Sequence, residues 1–296
     1  MVSYANMRIP KITTPEQPVR GQVNHILLQS FVDGPGNRAV VFLQGCNFHC
    51  IYCHNPFTIN LCNACGLCKL HCPSGSLSNQ EGIVFWNEAV CTGCDNCIKT
   101  CPHFSSPKIK QFTPDRLWRE LQPCAAFVSG ISVSGGEPST QMGFLVEFFR
   151  IVKSISNLTT LIETNGFCGP EAYNMLLPVL DMALVDLKII DAIKHKQLTG
   201  QELSIVLDTI RYLQANGKLQ GVNQVIVPGF HTDEDITRAA GFLAELDPAI
   251  PFRLLRFRPH GTTGEAFGWE SPAEGSMDRF VNLAQRQGLQ NVSRSL

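Results

Sequence analysis

From residue 39 onward, short and mostly apolar runs alternate with longer stretches whose apolar positions recur every three to four residues. The short runs, rich in β-branched residues and ending in glycine or polar residues, predict strands; the longer rhythm predicts helices with one buried face. Strands are predicted over 39–44, 131–134, 159–162, 182–187, 222–227 and 251–257, and helices over 113–126, 140–155, 171–177, 203–215, 233–246 and 277–287. Such alternation predicts parallel β/α units, here six, two fewer than a closed eightfold barrel. Ligands in such sheets sit at the C-terminal ends of the strands. Those ends carry the Cys46 loop, Gly135-Gly136-Glu137, Glu163-Thr164-Asn165-Gly166, Asp186-Leu187-Lys188, Val227-Pro228-Gly229 and Arg258-Pro259-His260-Gly261. Each alone reads as a turn or a strand end, and their shared rim is what makes them a candidate site.

The alternation breaks between the first strand and the first helix, where cysteines take over. Eleven of the 13 cysteines lie between Cys46 and Cys101, leaving Cys124 and Cys168 outside as packing residues. They form three groups: Cys46, Cys50 and Cys53 as C-x3-C-x2-C; Cys62, Cys65, Cys68 and Cys72; and Cys91, Cys94, Cys97 and Cys101. Both later groups read C-x2-C-x2-C-x3-C-P, the bacterial ferredoxin spacing, in which the fourth cysteine reaches across to the other cube. That rule assigns Cys62, Cys65, Cys68 and Cys101 to one [4Fe–4S] cluster and Cys91, Cys94, Cys97 and Cys72 to a second. Zinc is the alternative for any C-x2-C pair, and a tight run of four thiolates, repeated once, fits it poorly. Small residues between the ligands, Gly66, Gly93, Ser74 and Gly75, let backbone amides point at sulfur. The first group differs in kind, because three thiolates leave one iron of a cube open for an exogenous ligand. A zinc site completed by His49 or His54 is its alternative.

Composition narrows the setting. The chain has 296 residues, 24 Lys and Arg against 25 Asp and Glu, and 44% hydrophobic residues, enough for one large domain or two ordinary ones. At 17% charged residues and a net charge of −1, neither nucleic acid nor an anionic membrane is expected as the main partner. Residues 1–21 lack the apolar core of a secretory signal, and no uncharged apolar run reaches the roughly 18 residues of a spanning helix. A cytoplasmic setting follows, where thiols stay reduced and dense cysteines bind metal. Three segments are expected: a tail over 1–21, a partial barrel over 22–56 and 111–296, and an insert over 57–110. The insert carries Lys69, Lys99, Lys108 and Lys110 against Glu81, Glu88 and Asp95, so it has no strongly acidic docking face.

Taken together, Asp33-Gly34-Pro35-Gly36-Asn37-Arg38, Gln44-Gly45-Cys46 through Tyr52-Cys53-His54-Asn55-Pro56, Ser134-Gly135-Gly136-Glu137, Thr164-Asn165-Gly166 and Asp186-Leu187-Lys188 resemble a radical S-adenosylmethionine (SAM) enzyme. More narrowly they resemble the activating enzymes of glycyl radical enzymes, and the two ferredoxin-type runs placed after His-Asn-Pro resemble the YjjW-type activases. The resemblance covers residue 22 to the C-terminus. It implies an α/β fold: a partial (β/α)6 radical SAM barrel with an inserted two-[4Fe–4S] bacterial ferredoxin-like domain. It implies three [4Fe–4S] clusters, one binding SAM at Cys46, Cys50 and Cys53 and two auxiliary, together with a monovalent cation. Gly135 and Gly136 would approach the methionine amino group, and Glu137 would orient that turn or cap the next helix. Glu163, at a position that is aspartate in the best-described activases, would help hold the amino group and the cation. Asp186 would bond the ribose hydroxyls or share the cation. Lys188 and His260 would hold the carboxylate, with Arg258 competing for the His260 role, and Tyr52 would pack near adenine or lie as a lid on the cluster loop.

The activity so implied is that of an oxidoreductase. SAM is reductively cleaved to methionine and a 5′-deoxyadenosyl radical, which takes a hydrogen from the α-carbon of one glycine in a partner glycyl radical enzyme. A flavodoxin or ferredoxin would supply the electron, and the oxygen-sensitive product implies anaerobic life. Two rival readings are a radical SAM enzyme that modifies a peptide or small molecule with auxiliary clusters, and a ferredoxin-like electron-transfer subunit without catalysis.

Overall fold

The computed structural model describes residues 18–80 and 82–295, so the tail expected over 1–21 lies outside the described residues as far as residue 17. Among the described residues eleven strands occur in chain order: β1 Gly21–Ser30, β2 Arg38–Leu43, β3 Leu77–Gln80, β4 Ile83–Trp86, β5 Lys110–Phe112, β6 Gly130–Gly135, β7 Thr159–Thr164, β8 Met182–Asp186, β9 Leu219–Ile226, β10 Phe252–Arg256 and β11 Val292–Arg294. Nine form one sheet in the order β11-β10-β9-β8-β7-β6-β2-β1-β5, and β3 and β4 form a separate hairpin. β2 and β6 to β10 pair in parallel in that order, with helices between them. This is the α/β partial barrel that the pattern predicts. Three additions correct that picture: β11 pairs in parallel with β10, β1 pairs antiparallel with β2, and β5 pairs antiparallel with β1. The tail therefore ends where β1 begins, at Gly21.

The sheet's outer face is covered by helices whose buried positions follow their sequence rhythm. In helix Met142–Ile155, Phe144, Leu145, Phe148, Phe149 and Val152 are buried, a stripe spaced by three and four residues. Each phenylalanine there contributes about 2–3 kcal/mol by leaving water, and together they fix this helix against β7 and helix Pro114–Leu121. The helix expected over 171–177 is instead a short turn, Pro170–Tyr173, followed by a 3-10 turn at Leu177–Val179, because Pro178 removes a donor and disfavours helix at the residue before it. Between the predicted barrel elements one helix was not anticipated, Ala192–Thr199, and the cysteine-rich segment holds two further short ones, Leu67–Leu70 and Asn96–Lys99. Among the described residues no helix is long and apolar enough to cross a membrane.

At the N-terminal end of the sheet Arg38 is fully buried. Its guanidinium donates to Ser132 Oγ at 2.7 Å, Thr159 Oγ1 at 2.9 Å and the carbonyls of Ile131 and Thr159 at 2.9 and 3.0 Å. Burial lowers its pKa to about 10, and these bonds offset the cost of burying the charge. Ser132 Oγ in turn donates to the Asp33 carbonyl, so Arg38 ties the Asp33–Asn37 loop to β6 and β7.

The cysteine-rich segment leaves and rejoins the sheet near one end. The amides of Gly45 and Cys46 donate to the carbonyls of Thr58 and Ile59 at 2.9 and 2.8 Å, and Lys110 pairs with Val23 as part of β5. Residues 57–60 and Lys110 thus belong to the barrel side of the expected 57–110 boundary. Between them, helices Leu67–Leu70 and Asn96–Lys99 flank the β3–β4 hairpin. Cys68, Leu77 and Cys97 form a small buried cluster with Trp86 and Ile98 packed against it. The two halves repeat in backbone as well as in sequence. Ala64 and Gly93, each second after the leading cysteine, have φ of 57° and 69°, and Gly66 and Asp95, each just after the next cysteine, have φ of 79° and 59°. Left-handed backbone at a non-glycine residue costs about 1–2 kcal/mol, and both halves keep it.

Candidate active site

The Cys46–Cys53 loop leaves the C-terminal end of β2 and is shaped by groups that the sequence pattern did not mark. His49 and Ile51 amides donate to the carbonyls of Thr199 and Leu198 at 2.9 and 3.0 Å, at the C-terminus of the unanticipated helix. Gln201 Nε2 donates to the Asn47 carbonyl at 2.9 Å. That helix carries signals of its own: Asp191 caps its first turn, and Gly200 ends it with φ of 80°. Cys46 and Cys50 are pushed up to about 12, first by burial and then by neighbouring anionic groups, while Lys188 acts to lower both. Cys53 is raised by burial, again with Lys188 opposing. The three thiols therefore share one desolvated neighbourhood with one ammonium group. Such thiols are stable as thiolates once a cationic metal centre takes up their charge.

Gly135 and Gly136 are fixed by the approach of two loops. A Cβ on Gly135, at φ of 122°, would lie 2.3 Å from the Leu43 nitrogen, and one on Gly136 would lie 2.2 Å from the Gly45 carbonyl oxygen. These glycines therefore serve first to seat this turn on the cysteine loop. Glu137 is buried and accepts from the Ser139 amide at 3.0 Å, Thr164 Oγ1 at 2.7 Å and the Asn165 amide at 2.7 Å. It caps the following turn and binds the β6 and β7 ends together. Asn165 then donates to Asn47 Oδ1 at 2.8 Å and lies 3.9 Å from Cys46 Sγ. Glu137, Asn165 and Asn47 form one chain of bonds into the cysteine loop, and the Asn47 and Asn165 contacts were not legible from spacing.

Further round the rim, Lys188 Nζ lies 2.8 Å from Asp186 Oδ2. Burial works to lower the Lys188 pKa, but the charge and hydrogen bond of Asp186, joined by Tyr52 and Cys50, together outweigh it and hold the ammonium well above its ordinary value. Tyr52 is buried among Ile189, Leu198, Val227, Phe257 and Ala266, edge-on to Phe257 at 6.4 Å. Its hydroxyl and the His54 Nε2 are buried with no hydrogen-bond partner among the described residues. His49 is exposed, and the His54 ring lies 5.8 Å from Phe257. The Arg258–Gly261 turn packs on the same segment, since a Cβ on Gly261 would lie 2.4 Å from the His54 carbonyl. Arg258 and His260 are both exposed, unlike Lys188.

Glu163 accepts from Ser134 Oγ at 2.8 Å. Burial pushes its carboxyl up to about 7, with repulsion from Asp33 and Asp186 adding to the rise and the Ser134 bond opposing it. Between its ordinary 4.5 and about 7 the folded protein keeps a proton that the unfolded chain has released, so stability falls as pH rises through that window. Glu163→Gln should change stability little at pH 4 and raise it by up to about 3 kcal/mol at pH 8. Thermal melts of both proteins across that range test this, and a constant difference at every pH would refute it.

In the cysteine-rich segment, Cys62, Cys65, Cys68, Cys97 and Cys101 line one cavity. Cys72 Sγ lies 3.2 Å from Ser76 Oγ, and hydrogen bonds from Ser76 and Ser74, opposed by slight burial, bring Cys72 down to about 7. Cys91 is also lowered, first by the Gly93 amide. All 13 cysteines are free thiols, and no group of three or more His, Cys, Asp or Glu among the described residues is spaced to hold a single metal ion. Cys124 is buried, its Sγ 3.1 Å from the Leu121 carbonyl.

Residues 40–243 match the family model described as the Radical SAM superfamily. The chain is 32% identical over 260 residues to the pyruvate formate-lyase-activating enzyme of Streptococcus mutans, covering 86% of this chain and 82% of that one. It is 29% identical over 273 residues to the 4-hydroxyphenylacetate decarboxylase activating enzyme of Clostridioides difficile, covering 83% and 84%. The crystal structure of QueE from Escherichia coli superposes with a TM-score of 0.52 at 14% identity over 93% of this chain and 94% of that one, a likeness of fold. Three thiols on the loop after β2, the glycine turn and buried lysine beside them, and a family match spanning most of the barrel place this chain in the radical SAM superfamily, with the [4Fe–4S] cluster and S-adenosylmethionine that membership implies.

Proposed function

We propose that this protein activates a glycyl radical enzyme. It would cleave SAM reductively and abstract a hydrogen from the α-carbon of one glycine in a partner protein. The observation that carries this reading is its likeness, along most of both chains, to relatives named as activating enzymes of pyruvate formate-lyase and 4-hydroxyphenylacetate decarboxylase. When bound, the cluster and SAM supply one-electron cleavage of a carbon–sulfur bond. The chain's own residues set the stage for it. Cys46, Cys50 and Cys53 hold three irons of the cluster and leave the fourth open. Lys188, kept charged by Asp186, takes the carboxylate of SAM as a charge-assisted donor, and the Gly135–Gly136 turn offers backbone to its amino group. Glu163 takes the place of the family's aspartate beside that amino group and a monovalent cation.

The proposal extends to the segment over 57–110 as a ferredoxin-like insert with two auxiliary [4Fe–4S] clusters, one on Cys62, Cys65, Cys68 and Cys101, the other on Cys91, Cys94, Cys97 and Cys72. Supporting it are the cavity lined by Cys62, Cys65, Cys68 and Cys101 together with Cys97, and the repeated left-handed backbone of the two halves. A flavodoxin or ferredoxin would feed electrons to it, and its attachment beside Cys46 suits a relay.

The test mixes reconstituted protein, SAM and a reductant with a candidate glycyl radical enzyme and looks for a glycyl radical signal that vanishes when the partner's glycine is replaced by alanine. SAM cleavage without any such radical, across partners encoded nearby, would refute the proposal. Replacing Cys62, Cys65, Cys91 and Cys94 with alanine should preserve cleavage with dithionite and reduce it with flavodoxin. Loss with both donors, in a folded protein retaining its own cluster, would make the insert part of the catalytic machinery.

A further inference from the structure

His231 lies in the loop after β9 and is buried at 8% exposure, with both ring nitrogens engaged. The Val227 amide donates to Nδ1 at 3.0 Å, and Nε2 lies 3.0 Å from the Lys188 carbonyl. Nδ1 also lies 3.3 Å from the Val227 carbonyl, but the shorter bond from the Val227 amide and the Lys188 carbonyl at Nε2 together favour the neutral tautomer with the proton on Nε2. The ring therefore links the ends of β8 and β9. Its own loop is fixed in turn: Lys194 Nζ donates to the Phe230 carbonyl at 3.0 Å and to Asp235 Oδ2 at 2.6 Å, and Thr232 and Asp235 form a reciprocal cap on the next helix. Lys194 stands on helix Ala192–Thr199, the helix whose last carbonyls bind the cysteine loop.

We propose that His231 is a positioning residue for SAM binding: by holding the Lys188 carbonyl it fixes the backbone from which the Lys188 ammonium reaches the SAM carboxylate. The inference rests on the carboxylate role given to Lys188 above. The His231 ring bonds to the backbone of Val227 and Lys188, so its removal should alter affinity and leave turnover at saturating SAM unchanged. Lys188 is one of two rim residues that form the Asp186–Lys188 pair, and a loosened carbonyl would let that pair drift from the cysteine loop.

Two substitutions separate the two halves of the ring. Glutamine places an N–H donor near the Nε2 position and can keep the bond to Lys188, whereas asparagine places an acceptor near Nδ1 and keeps only the bond to Val227. In reconstituted protein with full iron content, His231→Asn should weaken SAM binding about threefold to tenfold, and His231→Gln should stay within about twofold of the parent. The KM for SAM should follow the same order, with kcat for 5′-deoxyadenosine formation unchanged. Equal affinity in both variants, whether retained or lost, would overturn the proposal, as would the reverse order. Should the asparagine variant not fold, nitrogen-15 histidine spectra of the oxidised parent protein decide: a neutral His231 protonated on Nε2 upholds the bond to Lys188, and an Nδ1 proton or an imidazolium refutes it. Lys188→Ala in the same binding assay separates the two readings. Unchanged affinity there would remove the carboxylate role of Lys188 itself, whereas weakened binding with both His231 variants at parental affinity would sink only the positioning role.

Discussion

Replacing Cys46, Cys50 and Cys53 together with alanine is expected to abolish SAM cleavage and to lower the iron content from about twelve to about eight per chain, four irons for each cube. The three thiols lie on one loop tied to three separate places: its backbone to the Thr58 and Ile59 carbonyls and to the end of helix Ala192–Thr199, and its Asn47 side chain to Asn165. The backbone ties use no cysteine side chain, so the loop should keep its course without the thiols. The eight cysteines of the two proposed auxiliary sites lie between Cys62 and Cys101, and the loss of Cys124 or Cys168 should change neither quantity. Iron analysis and chromatographic assay of 5′-deoxyadenosine under anaerobic conditions give both readings from one preparation. If the triple variant still makes 5′-deoxyadenosine, the catalytic cluster has been assigned to the wrong cysteines. A fall from about four irons to none would leave the catalytic assignment standing and remove the two auxiliary clusters.

The six inner strands were legible because strands buried on both faces are almost purely apolar. What escaped the sequence pattern had weaker local signals. β1, Gly21–Ser30, mixes Asn24, His25 and Gln29 with exposed Leu27 and Leu28, so it shows neither a continuous apolar run nor a clean alternation. Helix Ala192–Thr199 buries His195, Leu198 and Thr199 with polar residues all round it, and only its caps betray it. The rim motifs were legible as positions and not as roles. Gly135 and Gly136 prove to be required by the Leu43 and Gly45 backbones, a contact across 92 residues that no local window contains. Glu137 and His231 act through amides and carbonyls of other loops, and backbone groups have no letter in a sequence. The two residues paired at the SAM carboxylate differ in setting: His260 is exposed, whereas the Lys188 side chain is 15% exposed.

That difference sets the second large effect. Lys188→Ala should weaken SAM binding by about 1.5–3 kcal/mol, roughly one to two decades in affinity. The Lys188 side chain is 15% exposed and its partner Asp186 38%, so its charge acts at low screening and toward the cysteine loop, where it already opposes the rise of all three thiols. Removing it takes a charge-assisted donor from the SAM carboxylate and leaves Asp186 without its cation. His260→Ala removes a residue held in water, where a charged contact contributes about 1 kcal/mol or less, so its effect should be several times smaller in affinity. Equilibrium binding of SAM to reconstituted parent, Lys188→Ala and His260→Ala proteins decides the order. A loss at His260 equal to that at Lys188 would mean that the Arg258–Gly261 turn closes over bound SAM. A loss at neither, with Arg258→Ala weakened instead, would transfer the carboxylate to Arg258 and leave Lys188 with Asp186 as a structural pair.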